Sequence, residues 1–189
     1  MNIFVLDEDP IVAAKMYCDK HVPKLVVEML QMCGSAVIRH GATPEQLPVA
    51  KSTQKPIRGG YHNHPVTRWV GDSRTNFLWA AHHGAALCEE YTKRFGKEHY
   101  CANGIEILYG LAYLIPEGDL TPFALAMPDE FRPVEIEDDN TFSNPLSHAS
   151  GIDAVDAYRR YYHSKAFAVW EKGRPMPDWF SLKQQAVLA

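Results

Sequence analysis

The chain has 189 residues, of which 46% are hydrophobic and 22% are charged, which suits one sizeable core and is short for two. Its formal net charge of −4 excludes a global electrostatic attraction to nucleic acid. Binding of DNA or RNA would therefore require a local basic face. We predict a single domain over residues 1–189.

The apolar runs of the sequence are interrupted before they reach the length of about 20 residues that spans a bilayer. Glu28 interrupts one of the longest runs, and His82 and His83 interrupt another. Residues 1–7 lack the basic and long apolar regions of a secretory signal. These features predict a cytoplasmic protein that has no membrane partner.

The cysteines lie far apart in the sequence and form no CxxC pair, which argues against a disulfide framework and a thiolate zinc site. They are Cys18, Cys33, Cys88 and Cys101. We expect reduced and mostly buried thiols.

The beginning of the chain predicts one short strand followed by two helices. Residues 1–6 are bulky, apolar and partly β-branched, which favours a strand. Asp9 followed by Pro10 predicts a helix start, because the carboxylate can accept a free backbone N–H and proline lacks one. A second helix, opened by Pro23, follows with apolar residues at helical spacing. Residues 18–24 are therefore expected to form a helix junction.

The middle of the chain predicts a long loop and then the clearest helix. Prolines and glycines interrupt every periodicity over residues 39–64. Ser73 then caps a helix that should run to about Phe95 and end at Gly96. A further helix is predicted over residues 104–114.

A second long loop is predicted over residues 116–150. Its segment 121–133 carries three prolines, and an acidic run follows. Helical periodicity returns over residues 152–170, before a proline-rich tail. We therefore predict a mainly α fold, namely a single compact helical domain with long proline-rich loops and at most a minor strand element.

Polar residues gather at the junction between the first two predicted helices. A histidine beside a carboxylate can act as a general base, so His21 supported by Asp19 is a candidate pair. Lys20 and Lys24 can hold an anion, and Glu28, one turn after Lys24, is a further catalytic candidate. The alternative is a capped, solvated helix start with ordinary surface charges.

Histidines also follow the glycine-rich end of the first loop. His62 and His64 occupy alternate positions, which face opposite sides of an extended segment, so this spacing is weak evidence for a metal site. An HExxH motif is absent. We predict no metal site and no cofactor, keep His64 as a catalytic candidate, and retain a metal-dependent hydrolase as an alternative.

Charged residues end the predicted helix that begins after Ser73. Cations near a helix C-terminus interact favourably with its dipole, which accounts for Lys93 and Arg94. Glu90 requires another explanation. If it faces inward, Arg74 or Arg94 must neutralise it, and such an inward pair is a site candidate.

The segment that follows residue 157 interleaves aromatic rings with cations. Cations can bind phosphates while exposed rings stack on bases, so we predict DNA binding here. The candidates are Arg159, Tyr161, Lys165, Arg174 and Trp179, together with the more distant Trp69. The alternative is a helix with buried tyrosines and solvated arginines.

Several stretches resemble proteins that are common in bacteriophage genomes. They are MNIFVLDEDP with CDKHVPKLVVE, NHPVTRW, EEYTKRFGKEH, TPFALAMPDEF, and AYRRYY with PDWF. These stretches cover most of the chain. They resemble phage DNA-hypermodification enzymes, in particular the amino acid:DNA transferases. It implies that the amine of an amino acid such as glycine displaces phosphate or pyrophosphate from the 5-methylene of a phosphorylated 5-hydroxymethyluracil. The implied partners are double-stranded DNA carrying that base and a free amino acid, in the host cytoplasm.

The implied reaction needs a base, cations for the leaving phosphate and a partner for the amino-acid carboxylate. The candidate bases are His21 with Asp19, or Glu90. The candidate phosphate and carboxylate partners are Lys20, Lys24, Arg68, Arg74, Asn76 and Arg94. Because the target base must leave the stack, Trp69, Tyr161 or Trp179 can receive or replace it.

Two other functions remain open on the residues alone. One is a metal-dependent hydrolase or repair enzyme that acts on nucleotides or DNA through histidine ligands. The other is a non-enzymatic phage protein that binds a host factor through the acidic loop and the aromatic tail.

Overall fold

The computed structural model describes residues 2–136 and 143–181, with the side chains of 135, 136 and 143 left out. Its α-helices are α1 (Pro10–Met16), α2 (His21–Arg39), α3 (Pro65–Val70), α4 (Arg74–Phe95), α5 (Ala102–Gly110) and α6 (Gly151–His163). The strands form antiparallel pairs: β1 (Val49–Ala50) with β2 (Lys55–Pro56), β3 (Phe123–Ala124) with β6 (His148–Ala149), and β4 (Val134–Ile136) with β5 (Ser143–Pro145). The predicted mainly α class is confirmed.

The predicted boundaries of the long helix α4 are confirmed. Ser73 accepts a hydrogen bond from the backbone N–H of Asn76, and Gly96 ends the helix with a φ of 69°. The start of α1 is also confirmed, because the Asp9 side chain accepts from the backbone of the first turn. The second helix differs, since it begins at His21 and not at Pro23.

The helix predicted over residues 152–170 stops early. Helix α6 ends at His163, and the following residues form an irregular segment with turns, which we call the C-terminal arm (residues 164–177). Asp19 donates its backbone N–H to the carbonyl of Val169 in this arm, and the indole of Trp170 donates to the carbonyl of Met16. The apolar residues of the arm therefore pack on the α1–α2 junction and do not continue a helix.

The predicted N-terminal strand is extended but pairs with no strand in the described part of the chain. Residues 3–6 are instead buried in the core. The core continues between α2 and α4, where a side chain at Gly84 would lie 3.3 Å from the Cβ of Met29 and 3.2 Å from Ile105. Glycine thus permits α2, α4 and α5 to approach closely. The buried hydrophobic cluster extends from Ile3 to Phe180.

The end of the first long loop is held against α2. Gly59 adopts a φ of 68°, and a Cβ at this position would lie 2.3 Å from the Oγ of Ser35. That same hydroxyl exchanges hydrogen bonds with the backbone N–H and carbonyl of Gly60. The contact fixes the chain just before His64 and the start of α3.

The expectation for the cysteines is confirmed, because all four are buried and free. Across the described residues, every helix is too short or too polar to cross a membrane.

Candidate active site

Glu28 lies where the N-terminal segment crosses α2. Its Oε2 accepts the backbone N–H of Asn2 at 2.9 Å, and the residue is 8% exposed. The Nζ of Lys24, one turn earlier, lies 3.6 Å from Oε1. Buried carboxylates need such partners, because removal from water disfavours the charged form. The arrangement is a shielded carboxylate with a solvent-facing amine at its edge.

The second half of the chain holds Asn2 in place. Its Nδ2 donates to the carbonyl of Ala126 at 2.7 Å. The buried hydroxyl of Tyr158 donates to the carbonyl of Ala124 at 2.7 Å and lies 3.3 Å from Asn2 Oδ1, its alternative acceptor. Burial raises the pKa of Tyr158 well above its usual value, so the hydroxyl keeps its proton. Helix α6 and β3 thus support the residue that contacts Glu28.

His64 lies at the start of α3 and is half-buried. It caps α3, and its Nδ1 accepts the backbone N–H of Val66 at 3.3 Å. Burial lowers the pKa of His64, and the charge of nearby Glu28 opposes that shift. A neutral ring whose Nδ1 accepts a hydrogen bond carries its proton on Nε2. The charge of Glu28 thus acts on a second predicted catalytic residue.

His21 is not arranged as the expected general base. It is 4% exposed, its Nδ1 lies 2.7 Å from the hydroxyl of Tyr162, and its ring stacks on Phe4. Burial, followed by the charges of Lys24 and two further lysines, lowers the pKa of His21 to about 4. A neutral ring with so low a pKa is a weak proton acceptor at neutral pH.

Asp19 does not support His21, which corrects the expected pair. Its carboxylate accepts from Arg94 at 3.1 Å and from the backbone N–H groups of Glu171 at 2.6 Å and Lys172 at 3.1 Å. The side chain is turned toward the C-terminal arm, because both backbone donors come from it. Asp19 therefore anchors the arm in this structure.

Glu90 faces inward, which is the case in which the sequence analysis expected an arginine to neutralise it. It is 1% exposed, and its Oε2 accepts from Arg94 at 3.2 Å and from Arg174 at 2.8 Å. Burial raises the pKa of Glu90, but the two guanidinium groups outweigh it and lower the pKa overall. The partner is Arg94 and not Arg74. Since Arg174 occupies the same carboxylate, its side chain is engaged in the protein and not directed at DNA.

Residues at the start of α4 lie away from the lysines of α2. Positions 74 and 94 are about 30 Å apart along the helix axis, and the Arg94 end meets Asp19. Arg74 binds the carbonyls of Ile115 and Tyr113 and the carboxylate of Glu117. The expected grouping of Arg74 with Lys20 and Lys24 is therefore wrong.

Asn76 and Trp69 have structural partners at that same end of α4. Asn76 is fully buried, donates to the carbonyl of Trp69 at 2.9 Å and accepts the N–H of Thr121 at 2.9 Å. Trp69 is 2% exposed and packs on Phe123. A ring that is buried in this way does not present a surface for a displaced base. Arg68 differs, because it is exposed and donates to the amide of Asn63 at 3.3 Å.

The aromatic and basic residues after residue 157 divide into two groups. Arg159 donates to the carbonyl of Leu6 at 2.9 Å, and Trp179 donates to the sulfur of Met16 at 3.4 Å, so both pack on the N-terminal region. Tyr161 and Lys165 are half-buried beside Phe4, with the Lys165 Nζ 3.5 Å from the centre of the Tyr161 ring. The second group therefore lies around Phe4, whose ring stacks on His21.

Sequence reasoning missed Asn2 and the supporting role of Tyr158. The contact of Asn2 with Glu28 uses a backbone N–H, which is independent of residue type and leaves no pattern in the sequence. Tyr158 was recognised as part of an aromatic helix, but its hydrogen bonds depend on β3, 34 residues earlier. Within the described ranges, no group of three or more histidine, cysteine, aspartate or glutamate side chains could hold a metal ion.

A shielded carboxylate with a lysine at its edge is an arrangement found in enzymes that act on anionic substrates. A sequence model of the family described as pyrimidine dimer DNA glycosylase matches residues 1–102, which is more than half of the chain. The chain belongs to this family of enzymes that act on DNA. The searches of curated proteins and of solved structures return no match.

Family membership corrects the expected activity. The amino acid:DNA transferase assignment is wrong, because the matching family is one of DNA repair glycosylases. DNA remains the partner that the family implies, whereas a free amino acid and a phosphorylated 5-hydroxymethyluracil have no support. The repair-enzyme alternative was closer, although its histidine metal ligands do not come together in the described residues. The comparisons likewise offer no support for a phage origin.

Proposed function

We propose that this protein is a DNA glycosylase that removes a damaged pyrimidine, with a pyrimidine dimer as its substrate class and Glu28 as its catalytic carboxylate. The observation that carries the proposal is the buried Glu28, bound to the Asn2 backbone and edged by Lys24, within the segment that matches the family. His64 lies close enough for its pKa to respond to the charge of Glu28.

The chemistry of base excision requires a group like Glu28. As the bond between C1′ and the base nitrogen breaks, the base takes the electron pair and the deoxyribose becomes electron-deficient. A fixed carboxylate in a shielded site stabilises that positive charge more strongly than water does. The nucleophile that then bonds to C1′ must lose a proton, which Glu28 can accept.

The nucleophile defines the product. Water gives an abasic site, while the detached pyrimidine stays joined to its neighbour through the dimer. A primary amine of the protein gives an imine with the opened sugar, from which the strand can be cleaved. Lys24 supplies one primary amine beside the carboxylate. Its Nζ lies 3.6 Å from Glu28 Oε1, and its side chain is 62% exposed.

Access to C1′ also requires that the damaged nucleotide leave the base stack. A mildly acidic chain can bind DNA only through a local concentration of cations. The cations proposed for this role have exposed or half-buried side chains, and they are Lys24, which lies beside Glu28, together with Lys20, Lys165 and Arg68. We therefore expect modest affinity with a strong dependence on salt.

The proposal is tested with three duplexes of identical sequence, which contain a single thymine dimer, undamaged thymines, or 5-hydroxymethyluracil. The purified protein is incubated with each, and abasic sites are revealed as strand breaks by mild alkali. We expect breaks at the dimer and none above background in the other two duplexes. Absence of excision from the dimer duplex, in protein that is folded and binds DNA, would overturn the proposal.

A parallel reaction with borohydride identifies the nucleophile. If a protein amine attacks C1′, reduction of the imine leaves a covalent protein–DNA adduct, and peptide mass spectrometry locates the amine. If water attacks, excision proceeds without an adduct. Both outcomes are compatible with Glu28 as the carboxylate, so this measurement refines the mechanism without replacing the test above.

A further inference from the structure

Three lysines from distant parts of the chain gather above His21. They are Lys20 and Lys24, at the start of α2, and Lys165, on the C-terminal arm. We refer to them as the lysine cluster. Lys165 lies outside the segment that matches the family, so the cluster combines the matched and unmatched parts of the chain.

Aromatic rings fix two members of the cluster around one centre. The Lys20 Nζ lies 4.6 Å from the centre of the Phe167 ring, and that ring packs edge-on against His21 at 5.1 Å. The Lys165 Nζ lies 3.5 Å from the Tyr161 ring and 5.8 Å from the Phe4 ring. Phe4 in turn stacks on His21 at 5.0 Å. Both ammonium groups thus rest on rings that surround the same imidazole.

Lys24 completes the cluster on the side of Glu28. Residues four apart on a helix are neighbours on its surface, at about 5–6 Å between Cβ atoms, so Lys24 lies next to Lys20. The charges of all three lysines act on His21. The cluster therefore has a defined centre and is not a set of unrelated surface lysines.

The charge of this cluster is poorly compensated. Neither Lys20 nor Lys165 has a carboxylate within 4.0 Å in the part of the chain that the structure describes, and Lys24 reaches only Glu28. His21 beneath them is buried and supplies no negative charge. Three cations held together in a chain of net charge −4 mark a place where an anion would be stabilised.

We propose that the lysine cluster binds a backbone phosphate of the DNA strand close to the nucleotide that Glu28 attacks. This inference rests on the proposed function. Along the axis of α2, Lys24 and Lys20 lie about 6 Å and 12 Å from Glu28. At a rise of about 3.4 Å per nucleotide along one strand, those separations correspond to about two to four nucleotides. The cluster would thus position the strand and leave the choice of base to the site at Glu28.

Neutral variants test the proposal through the salt dependence of binding. Lys165→Gln and Lys20→Gln remove one charge each, and Lys97→Gln, an exposed lysine without a contact in the cluster, is the matched control. Binding to a dimer-containing duplex is measured from low to moderate salt. We expect each cluster variant to weaken binding and to lower the slope of log affinity against log salt by about one. The control should match the wild type, with all variants retaining the same melting temperature.

Methylphosphonate substitution, which makes a single phosphate neutral, locates the contact on the DNA. Replacing each phosphate within about four nucleotides of the dimer should reveal one position that weakens wild-type binding. The same substitution should have no further effect on Lys165→Gln. If the cluster binds only free phosphate, no methylphosphonate position will weaken DNA binding. Inorganic phosphate would then bind the cluster at low millimolar concentration. That result would overturn the proposal.

The failure of this inference is distinguishable from failure of the proposed function. If the dimer is excised but the cluster variants keep the wild-type salt slope, the phosphate contact is wrong and the glycosylase assignment stands. If the variants lose slope while no dimer is excised, the cluster binds DNA and the assigned reaction is wrong.

Discussion

The guanidinium group of Arg174 binds the buried carboxylate of Glu90, 84 residues earlier in the chain. Arg94 binds the same carboxylate and also Asp19, whose other oxygen accepts two backbone N–H groups from the C-terminal arm. Two carboxylates and two guanidinium groups thus fasten the arm to α4 and to the start of α2. The same arm carries Lys165 and Phe167 to the region above His21.

Replacement of Arg174 by glutamine is expected to loosen the arm. Glu90 would keep Arg94, and Lys93 at 3.9 Å, but would lose the hydrogen bonds from Arg174, at an expected cost of about 2 kcal/mol in the free energy of unfolding. Urea unfolding measures this cost, and limited proteolysis reports earlier cleavage within the arm. Lys172→Gln, which removes an exposed side chain from the same arm, should leave both measurements unchanged. Equal stability of Arg174→Gln and the wild type would show that the ion pair contributes nothing.

The buried histidines predict a loss of stability in mild acid. Burial, and for His21 the nearby lysines, lowers the pKa of both His21 and His83 to about 4. The unfolded chain therefore binds more protons than the folded chain between about pH 6.5 and pH 4. The stabilisation is fully present above pH 6.5 and decreases as the pH falls toward 4, by up to about 3 kcal/mol for each ring.

Urea unfolding at a series of pH values measures this effect. We expect the free energy of unfolding to fall steadily from pH 6.5 to pH 4.5. His21→Asn retains a polar partner for Tyr162 but does not titrate. It should reduce the slope of the unfolding free energy against pH by an amount that corresponds to the uptake of about one proton. The exposed His62 supplies the control substitution His62→Asn, which should keep the wild-type slope. A stability that is constant over this range would contradict the buried neutral state of the two rings.

Gly59 permits the loop before His64 to lie against α2, and a side chain there should disturb the site. Gly59→Ala combines a left-handed backbone with a Cβ that would lie 2.3 Å from the Oγ of Ser35. Gly41→Ala is the matched control, because its φ is +90° but nothing lies within 4 Å of the added carbon. The control should cost about 1–2 kcal/mol from backbone strain alone. Gly59→Ala should cost more and reduce excision of the dimer, as measured by thermal unfolding and the strand-break assay.

Local patterns were sufficient to predict the helices that carry the site. Asp9 with Pro10, and Ser73 with Gly96, were identified correctly because capping depends on residues close in sequence. The end of α6 was missed, since the apolar residues of the arm have helical spacing but pack on the α1–α2 junction. Long-range packing decided that boundary, and no local pattern reports it.

The site was predicted in fragments. Glu28 and His64 were both named from the sequence, and the charge of Glu28 acts on the pKa of His64, whereas Asp19 and His21 were paired because they are close in sequence. In the folded chain Asp19 turns toward Arg94, 75 residues away, and His21 turns toward Tyr162, 141 residues away. Sequence proximity was therefore a poor guide to which polar groups meet.

The central claim is that the carboxylate of Glu28 performs base excision, and the direct measurement is the single-turnover excision rate of Glu28→Gln on a dimer-containing duplex. Glutamine keeps the size and can accept the Asn2 N–H, but it carries no charge and takes up no proton, so we expect a rate at least about 100-fold lower with DNA binding retained. Glu106→Gln, an exposed change on α5, should retain the wild-type rate. A folded Glu28→Gln protein that excises the dimer at the wild-type rate would contradict the account.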